Sequence, residues 1–190
     1  MSLSLPNQLT VGRIFFIPIF LLVFFIPIYG VNNYILTVIF FFAGITDWLD
    51  GYLARRLNLS SSLGEFLDPV ADKLIVATIL VCLVSKHPTF GLVLSSVVII
   101  GREITVSALR EWMASIGEKS KVKVTYIGKV KTAAQMLSIG FMLYEVPLWG
   151  MDIHAIGKIL LYIAAGLTFW SMLIYLKAAW PSLYESQENQ

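Results

Sequence analysis

The chain has 190 residues, of which 57% are hydrophobic and only 14% are charged. A typical soluble domain has about 45–50% apolar and about 25% charged residues, so this composition indicates a membrane protein. The net charge of +2 is too small to indicate a nucleic-acid-binding protein, and the lone cysteine, Cys82, excludes an intrachain disulfide. Because a membrane-spanning helix needs about 20 mostly apolar residues, the length predicts one membrane domain over residues 1–190.

Six apolar runs follow one another along the chain, and we expect each to be a transmembrane helix. Period-two alternation of apolar residues is absent, which favours helices over the strands of a membrane barrel. The expected fold is an all-α integral membrane bundle with a short interfacial helix before the first span. In chain order the predicted segments are the interfacial segment 1–13, the spans 14–28, 34–53, 69–84, 90–109, 126–146 and 156–178 (together 14–178), and the tail 179–190.

Lysine and arginine residues are distributed unequally between the two sides of this predicted bundle. Of the 14 such residues, all except Lys86 and Lys158 fall on the side that holds both termini. Loops rich in lysine and arginine stay in the cytoplasm. The distribution therefore predicts that both termini, and the tail, are cytoplasmic.

Four aspartates surround the predicted hairpin between the second and third spans. Asp47 and Asp50 are three residues apart and share one face of a helix. Asp68 and Asp72 are four residues apart and share a face of the next helix. An aspartate at the centre of a membrane helix costs about 2.5–3.5 kcal/mol. The nearby arginine and lysine cannot neutralise four such groups, so the pattern predicts bound cations.

Two divalent cations would neutralise the four carboxylates, and oxygen-only ligands favour Mg²⁺ or Mn²⁺. A metal pair of this kind can bind a diphosphate and stabilise both the attacking and the leaving oxygen. Gly51 and Ala54 would leave space beside the acids, and Gly64 could form a close turn. The alternative, interfacial charges paired with arginines, explains one aspartate but not four at this spacing. His87 and His154 fall on the opposite side, which makes them poor candidates for a ligand or a base.

The acidic segment reads D-x2-D-G-x2-A-R-x8-G-x3-D-x3-D from Asp47 to Asp72. It resembles the signature of the CDP-alcohol phosphatidyltransferases. The resemblance implies a divalent-metal-dependent phosphatidyltransferase in which the four aspartates hold two ions and Asp72 takes the proton from the attacking hydroxyl. The residues that it implies for contact with the CDP part of the substrate are Asp50, Gly51, Ala54, Arg55, Ser61 and Gly64.

A second polar region, at the end of the fourth span and the start of the fifth, is basic. Its central cations are Arg102, Arg110, Lys129 and Lys131. Arg102 lies inside its span, where an arginine needs a partner or a water-filled cavity. Glu103 is adjacent, but neighbouring residues on a helix face differently, so we expect their pairing to be imperfect. Such a cluster facing the metal site would suit an anionic acceptor such as a phosphate. The alternative is that it binds anionic lipid headgroups.

Four stretches of the chain resemble the bacterial branch of this family that makes phosphatidylglycerophosphate. They are residues 5–13, residues 66–73, residues 102–104 with 107–112, and residues 128–135. The resemblance implies transfer of a phosphatidyl group from CDP-diacylglycerol to glycerol 3-phosphate with release of CMP. It also implies a homodimer in the bacterial inner membrane, with its active site on the cytoplasmic side.

Two other functions fit parts of the pattern. The first is the same reaction with another acceptor, such as inositol phosphate, serine or phosphatidylglycerol, although a neutral acceptor would not need Arg102 and Arg110. The second is a cation transporter, in which acids within the membrane mark the ion path. Transport predicts acids spread through the membrane depth and helices broken in mid-span, whereas these acids are concentrated at one end of two helices.

Overall fold

The computed structural model describes residues 5–26, 30–57, 62–116 and 126–188. Six helices follow in order: α1 (Leu5–Phe25), α2 (Asn32–Leu57), α3 (Ser62–Lys86), α4 (Phe90–Ser115), α5 (Tyr126–Tyr144) and α6 (Ile153–Glu188). The described residues contain no β-strand, only an isolated bridge between Leu148 and Met151 in the α5–α6 connection. The predicted all-α class is therefore confirmed.

Each predicted span corresponds to one helix, but the helix ends differ from the prediction. α6 runs to Glu188, so most of the predicted tail 179–190 is helical, even though Pro181 lies within it. α5 ends at Tyr144, two residues earlier than predicted. Glu145 has a φ of 54°, which lies in the left-handed region and cannot continue a right-handed helix.

The N-terminal segment also differs from the prediction. Residues 5–13 form the first turns of α1 and continue without a break into the apolar run, so the expected separate surface helix is not a distinct element. Pro6 stands at the second helical position, where its missing N–H removes no intrahelical hydrogen bond. Gly12 does not end the helix either. The rest of the predicted segment, residues 1–4, lies outside the described residues.

Within the described part of the chain, two helices are long and apolar enough to cross a membrane, namely α4 and the Ile153–Trp180 part of α6. Shorter apolar stretches occupy Val11–Phe25 and Asn32–Thr46. The outside of the bundle carries many large apolar side chains, and an apolar surface of this kind is stable against lipid rather than water. Examples are Phe15, Leu22, Val97, Ile163 and Trp170. The arrangement with six spans stays a prediction, since only two helices meet the requirement over the described residues.

Bulky apolar side chains from all six helices meet in one buried core. One from each helix in order is Phe20, Phe40, Leu80, Ile99, Met142 and Leu161. The backbones of α5 and α6 approach closely. At their contact the Ser138 hydroxyl donates a 2.8 Å hydrogen bond to the carbonyl oxygen of Gly157. This core holds α3 in the bundle with Asp72 in its first half and Lys86 at its last position. Two polar clusters, one around each of these residues, therefore lie towards opposite ends of the bundle.

Candidate active site

A cavity of about 290 Å³ lies among five helices around Asp72. Part of its lining is apolar and consists of Phe40, Ala43, Gly44, Ile75, Val76 and Met136. The rest is charged or polar and consists of Arg13, Asp72, Lys73, Arg102, Glu103, Thr132 and Gln135. Ligand sites are mostly apolar with a few polar groups that fix orientation. A lining of both kinds suits a ligand that has an apolar part and an anionic part.

One polar contact at this cavity is the ion pair between Arg13 of α1 and Asp72 of α3. The Arg13 side chain is only 1% exposed, and a buried arginine among membrane helices requires an anionic partner or a polar cavity. The pair therefore joins α1 to α3. The Asp72 side chain keeps 45% of its surface exposed, so its carboxylate stays accessible to a ligand in the cavity.

Arg13 is a site residue that the sequence pattern does not single out. In the sequence it is one of many basic residues near the predicted cytoplasmic ends of the spans. The signal that could have identified it is its position as the last residue of the 5–13 stretch, which resembles the family. Its partner follows 59 residues later, and no local spacing rule connects residues that far apart.

Glu103 joins two of the predicted acceptor cations. Its Oε1 accepts a 2.9 Å hydrogen bond from Arg102 Nη1 and lies 3.5 Å from Nζ of Lys131. The expectation that Arg102 and Glu103 pair imperfectly is therefore wrong, because two long side chains on adjacent residues can bend towards each other. The Lys131 side chain is 3% exposed. One carboxylate thus stabilises two cations beside the cavity and leaves positive charge in excess.

Tyr175 of α6 contacts two arginines of α4. The guanidinium carbons of Arg102 and Arg110 each lie 5.7 Å from the centroid of its ring, within the range of a cation–π interaction. Arg102 lines the cavity, whereas Arg110 is exposed and lies outside the described lining. Tyr175 was not predicted as a site residue, since it follows Arg110 by many residues and sits in a span without a recognisable motif.

Most of the predicted metal and CDP ligands have side chains outside the described part of the structure. The backbones of Asp47 and Asp50 belong to α2 and that of Asp68 belongs to α3. The other predicted site residues whose side chains are not described are Gly51, Ala54, Arg55, Ser61, Gly64 and Lys129. The arrangement of the four aspartates therefore stays a prediction. Asp72 fits a metal ligand, because it presents an accessible carboxylate of the kind that Mg²⁺ and Mn²⁺ prefer.

The described side chains define what this site can do chemically. Four cations that line or adjoin the cavity, Arg13, Lys73, Arg102 and Lys131, accompany the carboxylates of Asp72 and Glu103. An excess of arginine and lysine binds phosphate groups through charge-assisted hydrogen bonds. An accessible carboxylate can accept a proton from a hydroxyl group that lies within hydrogen-bond reach.

Comparison with known proteins assigns this sequence to a family. The sequence model of the family described as CDP-alcohol phosphatidyltransferase matches residues 3–170. The chain therefore belongs to the CDP-alcohol phosphatidyltransferase family, and the resemblance inferred from its motif is confirmed. A family of membrane enzymes and two helices of spanning length together indicate a membrane protein.

The chain is also similar to individual proteins over nearly its whole length. A Haemophilus influenzae protein is 49% identical over 186 residues, which cover 98% of each chain. A Pseudomonas fluorescens protein is 50% identical over 182 residues, 95% of this chain and 92% of its own. An Escherichia coli protein is 45% identical over 179 residues, 94% of this chain and 96% of its own. All three are named CDP-diacylglycerol--glycerol-3-phosphate 3-phosphatidyltransferase.

Proposed function

We propose that this protein transfers the phosphatidyl group of CDP-diacylglycerol to glycerol 3-phosphate, giving phosphatidylglycerophosphate and CMP. The observation that carries the proposal is the similarity, over nearly the full length, to proteins named for this reaction. The cavity supports it, because an anionic acceptor suits a site with excess positive charge and one accessible carboxylate.

Asp72 is the proposed general base. Its carboxylate takes the proton from the primary hydroxyl of glycerol 3-phosphate, and the hydroxyl oxygen forms a bond to the phosphorus that carries the lipid. The bond from that phosphorus to the oxygen of CMP breaks, and CMP leaves with the electron pair. Arg13 holds the Asp72 carboxylate from its buried side. It is therefore a positioning residue rather than a catalytic one.

The proposed metal site consists of Asp47, Asp50, Asp68 and Asp72, which would hold two Mg²⁺ or Mn²⁺ ions. When bound, ions of this kind neutralise the diphosphate and stabilise both the attacking and the leaving oxygen. The supporting observation is the accessible carboxylate of Asp72 at the cavity. The residues proposed to contact the CDP part are Asp50, Gly51, Ala54, Arg55, Ser61 and Gly64.

The acceptor phosphate is proposed to bind at the basic end of the cavity. Arg110 and Lys131 would contact it, with Arg102 behind them and Lys129 beside them. Arg102 lines the cavity, Lys131 shares the carboxylate of Glu103 with it, and the Tyr175 ring orients both arginines. These contacts support a site in which the cations are already oriented before the phosphate arrives.

The experiment that tests the reaction is an assay of the purified full-length protein with CDP-diacylglycerol and a panel of acceptors, in which CMP release is followed. We expect CMP release with glycerol 3-phosphate and a rate near background with serine, inositol phosphate or phosphatidylglycerol. Preference for one of these would overturn the assignment of the acceptor. If no acceptor released CMP, the proposed reaction itself would be wrong.

We further propose a homodimer in the bacterial inner membrane, with both termini and the cavity on the cytoplasmic side. This placement gives one site access to a lipid and to a water-soluble substrate. In a Cys82→Ser background, a cysteine at Ser61 or Lys121 should react with an impermeant reagent only from the cytoplasmic side. One at Val31 or Met151, both exposed, should react only from outside. Labelling in the reverse pattern would show that the charge distribution misplaced the chain.

A further inference from the structure

A second group of ionisable side chains lies beyond the far end of α3, away from Asp72. It consists of His87 in the α3–α4 connection, Glu145 directly after α5, and His154 in the first turn of α6. Lys86, the last residue of α3, lies 14 positions after Asp72, which is a rise of about 21 Å along a helix. The group is therefore separate from the cavity, and the proposed reaction gives it no role.

The three side chains converge on one oxygen atom. Glu145 Oε1 lies 2.6 Å from Nε2 of His87 and 3.9 Å from Nδ1 of His154. The two imidazole rings have centroids 4.6 Å apart. One ligand atom from each of the three residues lies within 4.8 Å of the others. Two imidazoles and one carboxylate therefore face a common point, although they come from three different elements.

The surrounding residues hold these side chains in place. Glu145 Oε2 accepts hydrogen bonds from Lys86 Nζ at 2.6 Å and from Asn33 Nδ2 at 3.1 Å, which leaves Oε1 facing the histidines. Burial raises the pKa of Glu145, but the hydrogen bonds and charges of Lys86 and His87 outweigh burial and hold that pKa below its ordinary value. Lys86 and Asn33 therefore hold the carboxylate with Oε1 towards the two imidazoles.

His154 provides an independent indication of a ligand. Its Nδ1 lies 3.4 Å from the carbonyl oxygen of Met142, while its Nε2 is buried and has no hydrogen-bond partner in the described part of the chain. Buried polar atoms are normally satisfied, and an exception calls for an explanation. Metal-binding histidines commonly donate one ring N–H to a backbone carbonyl and present the other nitrogen to the ion. In His154 the nitrogen without a partner is Nε2, whereas Nδ1 is the one that lies 3.9 Å from Glu145 Oε1, so the ring would turn to direct Nε2 at an ion.

We propose that His87, Glu145 and His154 form a metal site for Zn²⁺ or a similar divalent transition-metal ion. Two imidazoles and one carboxylate, with water in the fourth position, are a known ligand set for zinc. Imidazole ligands favour Zn²⁺, Cu²⁺, Fe²⁺ and Ni²⁺, whereas carboxylates suit Mg²⁺ and Mn²⁺. Ligand atoms of a tetrahedral zinc site are about 3.3 Å apart, so the His87–Glu145 contact would widen and the longer separations would shorten. The bound ion would tie the α3–α4 connection to the α5–α6 connection.

The site can be tested by titrating the purified full-length protein with Zn²⁺ while excess Mg²⁺ occupies the oxygen-ligand sites. We expect one equivalent of Zn²⁺ per chain to bind. His87→Ala and His154→Ala should each weaken binding by more than the roughly 10–100-fold that follows loss of an outer-shell partner. Asp152→Asn is the matched control, because it removes a carboxylate from the same connection without removing a ligand. It should bind Zn²⁺ as the parent protein does.

X-ray absorption spectroscopy of the zinc-loaded parent protein gives a second measurement that needs no variant. We expect two nitrogen neighbours at about 2.0–2.1 Å. A first shell of oxygen only would assign the ion to the aspartates and overturn the proposal. So would an absence of Zn²⁺ binding in excess Mg²⁺, or unchanged binding in a variant with both histidines replaced. In those cases the three residues form only a hydrogen-bonded contact between two connections.

Discussion

The two polar clusters towards opposite ends of the bundle use similar side chains in different ways. Around Asp72, charges from α1, α3, α4 and α5 line or adjoin a cavity, and the Asp72 side chain keeps 45% of its surface exposed. Around Glu145, the charged groups contact one another directly, and the Glu145 side chain is only 17% exposed. Charges that face a cavity remain available to a substrate, whereas groups that meet on one carboxylate connect two parts of the chain, directly or through a bound ion. The exposure of the charged side chains, rather than their charge, thus distinguishes a reaction site from a contact that connects two parts of the chain.

The comparison of the two clusters predicts that the reaction depends on the Asp72 end of the bundle alone. Removal of the metal ions should lower the reaction rate most. A chelator should abolish CMP release, because the charge of the diphosphate is then not neutralised. Added Mg²⁺ or Mn²⁺ should neutralise that charge and restore CMP release. Asp47→Asn and Asp68→Asn should be inactive at ordinary metal concentrations for the same reason. Full activity in excess chelator, or in either variant, would contradict the proposed two-ion site.

Replacement of the proposed base should have the next largest effect. Asp72→Asn keeps the size of the side chain but cannot accept the proton, so kcat should fall by at least the roughly 10²–10⁴-fold that general-base catalysis contributes. The measurement is the rate of CMP release at saturating concentrations of both substrates. Asp152→Asn, which removes a carboxylate from the other end of the bundle, should keep the parent rate. Equal losses of kcat in both variants would show that the reaction does not depend on the Asp72 end alone.

The arginines of α4 should affect one substrate more than the other. Arg110→Gln removes one charge-assisted contact to the acceptor phosphate, worth about 1.5–3 kcal/mol, or roughly 10–150-fold in affinity. The loss should appear in the KM for glycerol 3-phosphate, with little change in the KM for CDP-diacylglycerol. Lys177→Gln, at an exposed position of α6, is the control for a general loss of positive charge. Equal weakening of both substrates would point to a structural role.

The packing of α5 against α6 should influence stability without influencing the reaction. A methyl group at Gly157 would lie 2.8 Å from Met142 Cγ and 3.0 Å from the backbone oxygen of Ser138. Gly157→Ala should therefore destabilise the fold by about 1–3 kcal/mol, as overpacking usually does. Gly166→Ala, on the same helix, meets open space and serves as control. The measurement is thermal unfolding in detergent, and a lower Tm in the control alone would contradict the described packing.

The helices could be predicted from the sequence more reliably than their ends. Apolar runs identify the part of a helix that suits lipid, so each predicted span falls on a helix. They do not identify where the helix stops, because alanine, arginine and glutamate are good helix formers whatever the surroundings. α2 and α4 therefore continue past their apolar runs, to Leu57 and Ser115. The end of α5 depends on the left-handed backbone conformation of Glu145. Hydropathy carries no information about backbone dihedral angles.

The site was predictable where one helix carries the pattern and not where several helices meet. Arg102 was identified because a charge inside a span needs an explanation, and the structure places it at the cavity. The roles of Arg13 and Tyr175 depend on how α1 and α6 rotate against their neighbours. The contact between His87 and Glu145 joins residues 58 positions apart, so the sequence, which placed the histidines only on the side opposite the aspartates, did not reveal it.

The buried pair of Arg13 and Asp72 has a consequence for the order in which the chain enters the membrane. Arg13 is synthesised 59 residues before Asp72, an interval of about 3–12 s at 5–20 residues per second. During that interval Asp72 does not yet exist, and an arginine surrounded by hydrocarbon is costly. We expect the first turns of α1 to stay at the water boundary until the predicted span in α3 has been inserted. Final placement of the first helix is then expected to be a late event in the assembly of this protein, although its residues are made first.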